Sequence, residues 1–371
     1  MKIECVEPYV FEAPLLRPWK THLGEVKSKD HLVVKVTTND GLVGVGEISP
    51  GPAFSGETGD AEASVIKGQL APVMLGEDPF NLETILSRMD RAIVGFHLAK
   101  SAIDFALFDL LGKALGVPAY RLLGGRYRDK VPLAWPIGQR SKKEMVQEAV
   151  TKVKEGYGAI KLKIGGPDPR EDVDLVRAVR EAIGDRIALR VDANQAYSPD
   201  VAVRTIRQME KYDLQYVEQP VPRWDLPGMA RVREAVATPI MADESVFSIH
   251  DAYAVIRNGA ADILNLKVGK VGGLLMAKKV AAVAEAAGIL CMVGSMLELS
   301  IGTMAGAHIA LSTRNVSYEC ELVCHLFYSL DIVKETPKIE RGCLMVPDKP
   351  GLGLELDEEK LKEVARKYAG P

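Results

Sequence analysis

Histidine and cysteine are scarce in this chain, and neither is arranged to bind a metal. Six histidines are spread over 371 residues. His250, His308 and His325 lack the short spacing of a ligand pair, so they read as structural. The five cysteines (Cys5, Cys291, Cys320, Cys324 and Cys343) are odd in number, scattered, and contain no C-x-x-C pair. That argues against a thiolate zinc site and fits a reducing compartment. No stretch approaches the roughly 18 consecutive apolar residues of a membrane span, and the opening Met1-Lys2-Ile3-Glu4-Cys5 has no apolar signal core. A soluble, cytoplasmic protein with no membrane partner is expected. Neither sign of charge dominates: the net charge of -3 gives no electrostatic case for nucleic acid. Against those absences stands an ordinary globular composition with ample apolar material for a core. The length suits one large domain plus a smaller one.

The first 50 residues read as strands, at 3–11, 31–37 and 42–48, with Asn39-Asp40-Gly41 as the hairpin turn between the last two. Residues 13–30, polar and basic, read as an irregular loop carrying Arg17, Trp19, Lys20 and His22; residues 49–58 form a second, rich in turn formers. Loops that long inside a compact domain are usually functional, so both are candidate lids. A helical pattern follows from about 60 to 124. Residues 99–115 have apolar positions at i, i+3, i+4 and i+7 and are stopped by Gly116-Val117-Pro118; Asp104 and Asp109 within them read as buried structural acids. The first domain is placed at 1–125.

Beyond it, strands and helices alternate. Apolar strand candidates lie at 131–137, 159–164, 187–191, 214–217, 239–242, 263–266, 289–293 and 316–320, with helical stretches such as 171–183, 199–212 and 274–287 between them. Eight strands with intervening helices predict an α/β fold of the parallel (β/α)8 barrel type over 126–337. A terminal segment, 338–371, with Pro350-Gly351-Leu352-Gly353 and a charged helix, is expected to pack back on the first domain.

The chemistry begins at Ile160-Lys161-Leu162-Lys163-Ile164, whose period-2 alternation puts both lysines on one face of a strand. Two ammonium groups on the inner face near the top of a barrel would lower each other's pKa, and burial would add to that. Acidic residues then recur at strand ends: Asp192 in Arg190-Val191-Asp192-Ala193-Asn194, Glu218 before Gln219-Pro220, and Asp243 before Glu244-Ser245. Lys267 closes the series. From 163 the positions advance to 192, 218, 243 and 267, about one βα unit at each step, which sets all five at the C-terminal rim where this architecture does its chemistry. Three carboxylates without histidine make an oxygen-donor site for a hard cation, Mg²⁺ by preference and Mn²⁺ possible. Glu244 could serve in place of Asp243 or behind it. A carbon acid next to a carboxylate is too weak to yield its proton to an unaided lysine, and a divalent cation on that carboxylate stabilises the enediolate. With Lys163 and Lys267 on opposite sides, the pattern reads as proton abstraction α to a carboxylate. A metal-dependent hydrolase is disfavoured because no rim position supplies histidine. Lys270, three residues past Lys267, reads as solvated.

These motifs resemble the enolase superfamily, and within it the muconate lactonizing enzyme subgroup of the mandelate racemase/muconate lactonizing enzyme family. The resemblance spans nearly the whole chain: Lys161-Leu162-Lys163, Asp192-Ala193-Asn194, Glu218-Gln219-Pro220, Asp243-Glu244-Ser245, Lys267-Val268-Gly269-Lys270-Val271-Gly272-Gly273, and Gly294-Ser295-Met296-Leu297-Glu298. It implies an α+β capping domain on a modified TIM barrel of the (β/α)7β type, with Mg²⁺ on Asp192, Glu218 and Asp243. It also implies Lys163 and Lys267 as the acid/base pair, Lys161 as a tuning residue, the two loops as specificity lids, and a homo-oligomer. The overall reaction on a small carboxylate substrate is expected to be muconate-type cycloisomerisation; the alternative is racemisation or epimerisation of an amino-acid derivative, betaine or dipeptide, with dehydration third.

Asn194, Glu244, Ser295 and Met296 fall in these motifs and join the expected substrate-binding set. Glu321 matches a glutamate near the eighth strand of muconate lactonizing enzymes, while Glu319 and Glu321 together could imitate the D-x-D pair that holds a dipeptide's ammonium group. Arg17, Lys20 and His22 would suit an anionic tail. Trp19, Phe54 and Trp135 could instead cage a substituted ammonium by cation–π contact.

Overall fold

The computed structural model describes residues 1–366. Its first domain opens with a three-stranded antiparallel sheet, β1 (Ile3–Thr21), β2 (Gly24–Thr38) and β3 (Val43–Ile48). The stretch 13–30, expected to be an irregular loop, is instead the far half of one long hairpin: pairing runs from Val10–Leu32 out to Trp19–Val26 and Thr21–Gly24. Irregularity is confined to the register shift between Pro14 and Trp19, where the sequence places Pro14 and Pro18, which have no N–H to give a ladder. Residues 49–58 are irregular as expected.

Short helices α1 (Gly59–Val65) and α2 (Ala71–Met74) lead through α3 (Leu82–Ala92) to α4 (His97–Leu115) and α5 (Ala119–Leu122). Every residue of α4 from Leu98 to Gly112 is buried, because one side meets β3 and the other meets the barrel. The approach to β3 is tight enough to demand glycine: a Cβ at Gly46 would lie 1.9 Å from the carbonyl oxygen of Ala102. On the barrel side the buried Asp104 accepts from Leu274 N, and toward the sheet Asp109 accepts from Val45 N of β3 and from Leu352 N of the terminal segment at 3.0 and 2.8 Å. Both are structural acids.

The second domain starts with β4 (Val131–Pro132) and then runs β5 (Ala134–Ile137), α6 (Lys142–Lys154), β6 (Ala159–Lys163), α7 (Pro169–Ile183), β7 (Ala188–Asp192), α8 (Pro199–Met209), β8 (Leu214–Glu218), α9 (Leu226–Ala235), β9 (Ile240–Ala242), α10 (Ile249–Arg257), β10 (Ile263–Asn265), α11 (Leu274–Ala286), β11 (Leu290–Met292) and α12 (Ser300–Ser312). Strands β5 to β11 form one parallel sheet in sequence order. The eighth staff, at 316–320, is not a regular strand. It closes the ring through single bridges, Cys291 with Val316 and Leu133 with Cys320, and a 3₁₀ turn at Cys324–Phe327 follows in place of an eighth helix. The architecture is therefore a (β/α)7β barrel with a capping domain.

The terminal segment divides. Its first part, β12 (Ile339–Glu340) and β13 (Cys343–Leu344), pairs with β4 of the barrel rather than with the capping domain. From Gly351 onward it lies on the capping domain, where α13 (Glu358–Val364) is tied by Lys35–Glu358 at 2.7 Å and Arg366 N donates to Val10 O. Residues 367–371 of the expected segment lie outside the described residues.

Candidate active site

Alternation along the strands decides which side chains enter the barrel. On β6, Ile160 and Leu162 pack outward in the core, while Lys161 and Lys163 point inward. On the neighbouring strands the register sets Lys163 beside Asp192 and Asp192 beside Glu218; Asp243 follows Ala242 at the end of β9. Asp192, Glu218 and Asp243 are all fully buried. The chain turns sharply just past the first two, with Asn194, Gln195 and Gln219 at φ of 42°, 72° and 35°. Non-glycine residues in that left-handed region carry strain that surrounding contacts must hold, a feature common at sites. Gln219 supplies some of those contacts: its Oε1 accepts from Asp243 N and Ser245 N, and its Nε2 donates to Ser245 Oγ.

Each acid is closed on a lysine. Lys163 Nζ bonds Asp192; Lys161 Nζ lies 3.0 Å from Glu218, 2.5 Å from Glu321 and 3.6 Å from Asp192. Lys267 and Lys270 both reach Asp243, each at 2.6 Å. The solvated position expected for Lys270 is thus wrong. Its short loop folds back under the rim, and the ammonium is fully buried against the Asp243 carboxylate and carbonyl.

The expected lowering of lysine pKa does not hold for Lys161. Burial alone would lower it, but the summed field of Glu218, Glu321 and Asp192 outweighs burial and raises it well above the ordinary range. Lys267 is likewise raised, with Asp243 overcoming desolvation. The carboxylates respond unequally. Burial and the Asp192 charge push Glu218 up to about 8, and burial with Asp243 and Asp192 pushes Glu244 up to about 7. The two lysines beside Asp243 hold it well below the usual carboxylate range despite its burial.

The cluster sets the carboxyl groups of Asp192, Glu218, Asp243, Glu244 and Glu321 against the lysines Lys161, Lys163, Lys267 and Lys270. Its donors are all oxygen, and Glu244 Oε2, Asn194 Oδ1 and Asn265 Oδ1 are buried without hydrogen-bond partners. Such a set fits a hard divalent cation. With every acid turned to a lysine, no three of them stand in ligating arrangement among the described residues. Glu244 lies behind the rim, accepting from Asn194 Nδ2 at 3.0 Å, and Asn265 Nδ2 donates to Glu218 at 2.8 Å.

Above the rim a cavity of about 540 Å³ runs from Lys163, Lys267, Asn194, Ser295, Met296 and Glu321 up to the β1–β2 hairpin and the 49–58 loop. Trp19 and Phe54 line it. Trp19 stacks on Phe327 at 5.2 Å, and the Phe54 ring lies 4.4 Å from Lys267 Nζ. Trp135 does not join them. On β5 it is Pro136 that faces the cavity, so Trp135 points outward, where its Nε1 donates to Glu148 and Lys152 covers its ring. Lys20 lines a neighbouring cavity that shares Lys163, while Arg17, Lys20 and His22 are exposed. Glu319 sits a layer below Glu321, bound to the buried Arg190; the two glutamates do not act as a pair at the cavity. Lys29, which sequence reasoning passed over, does line it.

Residues 5–124 match the mandelate racemase/muconate lactonizing enzyme N-terminal domain, and residues 144–360 match the enolase C-terminal domain-like family. The chain belongs to the mandelate racemase/muconate lactonizing enzyme family of the enolase superfamily. Its relatives act as isomerases, and it is an enzyme of that class. The L-Ala-D/L-Glu epimerase of Bacillus subtilis is 37% identical, covering 95% of this chain and 97% of its own. The muconate lactonizing enzyme of Pseudomonas fluorescens, solved with muconolactone, superposes with a TM-score of 0.96 at 37% identity, over 98% of this chain and 99% of that one. The dipeptide epimerase of Enterococcus faecalis, solved with Mg and the dipeptide L-Leu-L-Tyr, gives 0.92 at 37% identity, over 96% and 100%.

Proposed function

We propose that this enzyme interconverts a carboxylate substrate and its enediolate by moving a proton at the α carbon, with Mg²⁺ held by Asp192, Glu218 and Asp243, and that its overall reaction is cycloisomerisation of a muconate-like dicarboxylic acid. One carboxylate oxygen adds to the conjugated C=C, the displaced electron pair forms the enediolate of the other carboxylate, and the α carbon is then protonated. Removal of the α proton is the same step run from the lactone. The observation that carries the half-reaction is the opposition of Lys163, at the end of β6, and Lys267, just past β10, with the three carboxylates of the intervening strands between them. When bound, the cation would offset the carboxylate charge that now favours protonated Lys267 and would stabilise negative charge developing on the substrate. Lys163 faces the substrate carbon from one side and Lys267 from the other. In the lactonizing direction one of them delivers the proton to the α carbon as the ammonium and takes it back as the free amine in the reverse direction, while the opposed one steadies the anion. Lys161, pinned between Glu218 and Glu321, holds a fixed positive charge beside Lys163, and Phe54 shields Lys267 from water.

Racemisation of an amino-acid derivative is the second reading, supported by a lysine on each face. It is the weaker one for a free ammonium substrate: Trp135 is turned out of the cavity, and Glu319 is spent on Arg190. A homo-oligomer rests on the family resemblance.

Proton NMR in D₂O with Mg²⁺ tests the proposal, using cis,cis-muconate beside N-acylated amino acids and dipeptides. Lactone formation from muconate is the expected result, with EDTA abolishing it. Deuterium entering the α position of an amino-acid derivative would move the assignment to racemase. If no acid is converted or labelled, and EDTA alters nothing, the half-reaction itself is wrong.

A further inference from the structure

Lys29 projects from β2 of the capping domain into the active-site cavity. Its Nζ donates to Met296 O at 2.9 Å and stands 3.5 Å from Ser49 O. Among the described residues it has no carboxylate within ion-pair distance: every other cation at the rim is matched to an acid, and this one is held only by backbone carbonyls. It also stands on the Lys267 side of the cavity. A Cβ at Gly51 would be 3.6 Å from Lys29 Nζ and 3.6 Å from Phe54 Cβ, and Phe54 lies over Lys267.

Lys29 is half-buried, and an ammonium drawn part-way out of water without a counter-charge leaves room for a partner that completes it. Carbonyl acceptors orient the head and leave its remaining donor capacity for a further partner. The nearby acids do not supply one. Glu298 is turned to Ser295 Oγ and Met296 N, and Glu47 to His31, Leu299 N and Gly302 N. Glu12 and Asp30, also on the lining, are engaged by Ser28 and Arg366. The missing charge can therefore come from a ligand in the cavity.

We propose that Lys29 is a specificity-determining residue that binds a second anionic group of the substrate, so that the enzyme takes dicarboxylates with one carboxylate at the barrel rim and the other at the capping domain. The inference rests on the functional reading above for the position of the first carboxylate. It adds where the second carboxylate sits and the residue that selects it.

Calorimetry tests this without turnover. Adipate and hexanoate share a six-carbon chain and differ by one carboxylate, and both are titrated into the Mg²⁺-loaded enzyme. Adipate is expected to bind about tenfold more tightly, the order of a charge-assisted hydrogen bond. The difference should close in Lys29→Met and survive in Lys29→Arg. Should Lys29→Met fail to fold, as judged by circular dichroism, Lys29→Gln carries the same comparison. Equal affinities in the wild type, no adipate binding, or a preference that persists in the folded neutral variant would each overturn the role of Lys29. Failure of the half-reaction would appear separately, as absence of deuterium exchange in an enzyme that still prefers adipate.

Discussion

At Lys270 a fully buried ammonium is held by one carboxylate and one carbonyl, all three belonging to the strand-end network. Burial lowers its pKa, and Asp243 only partly restores it. Removing such a cation strands part of the charge it served. Lys270→Met should destabilise the fold by about 3 kcal/mol, read as a lower urea midpoint at unchanged slope. Lys163→Ala and Lys267→Ala leave Asp192 and Asp243 short of a partner in the same way and should also lower the melting temperature, but in the protein that remains folded they should in addition cut turnover by about a hundredfold or more, the usual size of a lost general acid or base. Lys29 carries a pH signature of its own. Burial lowers it to about 8; Glu298, Cys324 and Glu47 oppose the shift and Lys267 adds to it. Adipate affinity should accordingly weaken as the pH is raised through about 8, and Lys29→Arg should remove that dependence.

Two elements set the shape of the site. Helix α4 is buried on all sides over most of its length because it is a shared wall, with the capping sheet on one face and the α11 end of the barrel on the other. Its distance from β3 is set by glycine. Gly46→Ala would drive a methyl group into the Ala102 carbonyl, and overpacking of that kind costs about 2 to 3 kcal/mol; thermal unfolding should show it as a lowered midpoint. The β1–β2 hairpin is the second element. Because its arms stay paired as far as Thr21 and Gly24, Trp19 and Lys29 are carried on a sheet rather than on a free loop. Substrate contacts from the capping domain are therefore pre-organised, which limits the ordering cost of binding.

For the molecule as a whole, a few buried polar groups join the two domains. Glu47 of β3 caps α12 by accepting from Leu299 N and Gly302 N at 3.1 and 2.7 Å, and it holds His31 at 2.8 Å. His308 on α12 accepts from Tyr120 N at 3.1 Å and faces Leu352 O at 3.2 Å, linking the barrel, α5 and the terminal segment. Burial depresses His308 from 6.5 to about 4. The folded state thus keeps it neutral where the unfolded chain would bind a proton, so its contribution is complete above pH 6.5 and is lost as the pH falls toward 4. That loss amounts to about 3 kcal/mol. His325, also lowered to about 4 by burial, acts in the same direction. Between pH 7 and 4 the wild type should lose more stability than His308→Gln, whose amide can reproduce one accepted and one donated bond. Equal pH profiles in the two proteins would show that His308 is not the coupling group.

Much of this was legible from local pattern. The βα repeat is a property of short segments, so carboxylates recurring about once per unit had to reach the same rim, and alternation along β6 had to turn both lysines to one side. What the sequence left open depends on groups far apart in the chain. The pKa of Lys161 is set by acids on three other staves. Trp135 is outside the cavity because Pro136 takes the inward position, and Glu319 is claimed by an arginine three strands away around the ring. Hairpin pairing, not composition, made residues 13–30 a sheet. Lys29 became part of the site only when the capping domain was laid over the barrel, since neither domain alone encloses its ammonium. Periodicity determined the fold and the rim residues. The charge each one bears, and which others join them, were decided by packing, because fields and contacts sum over neighbours in space and not along the chain.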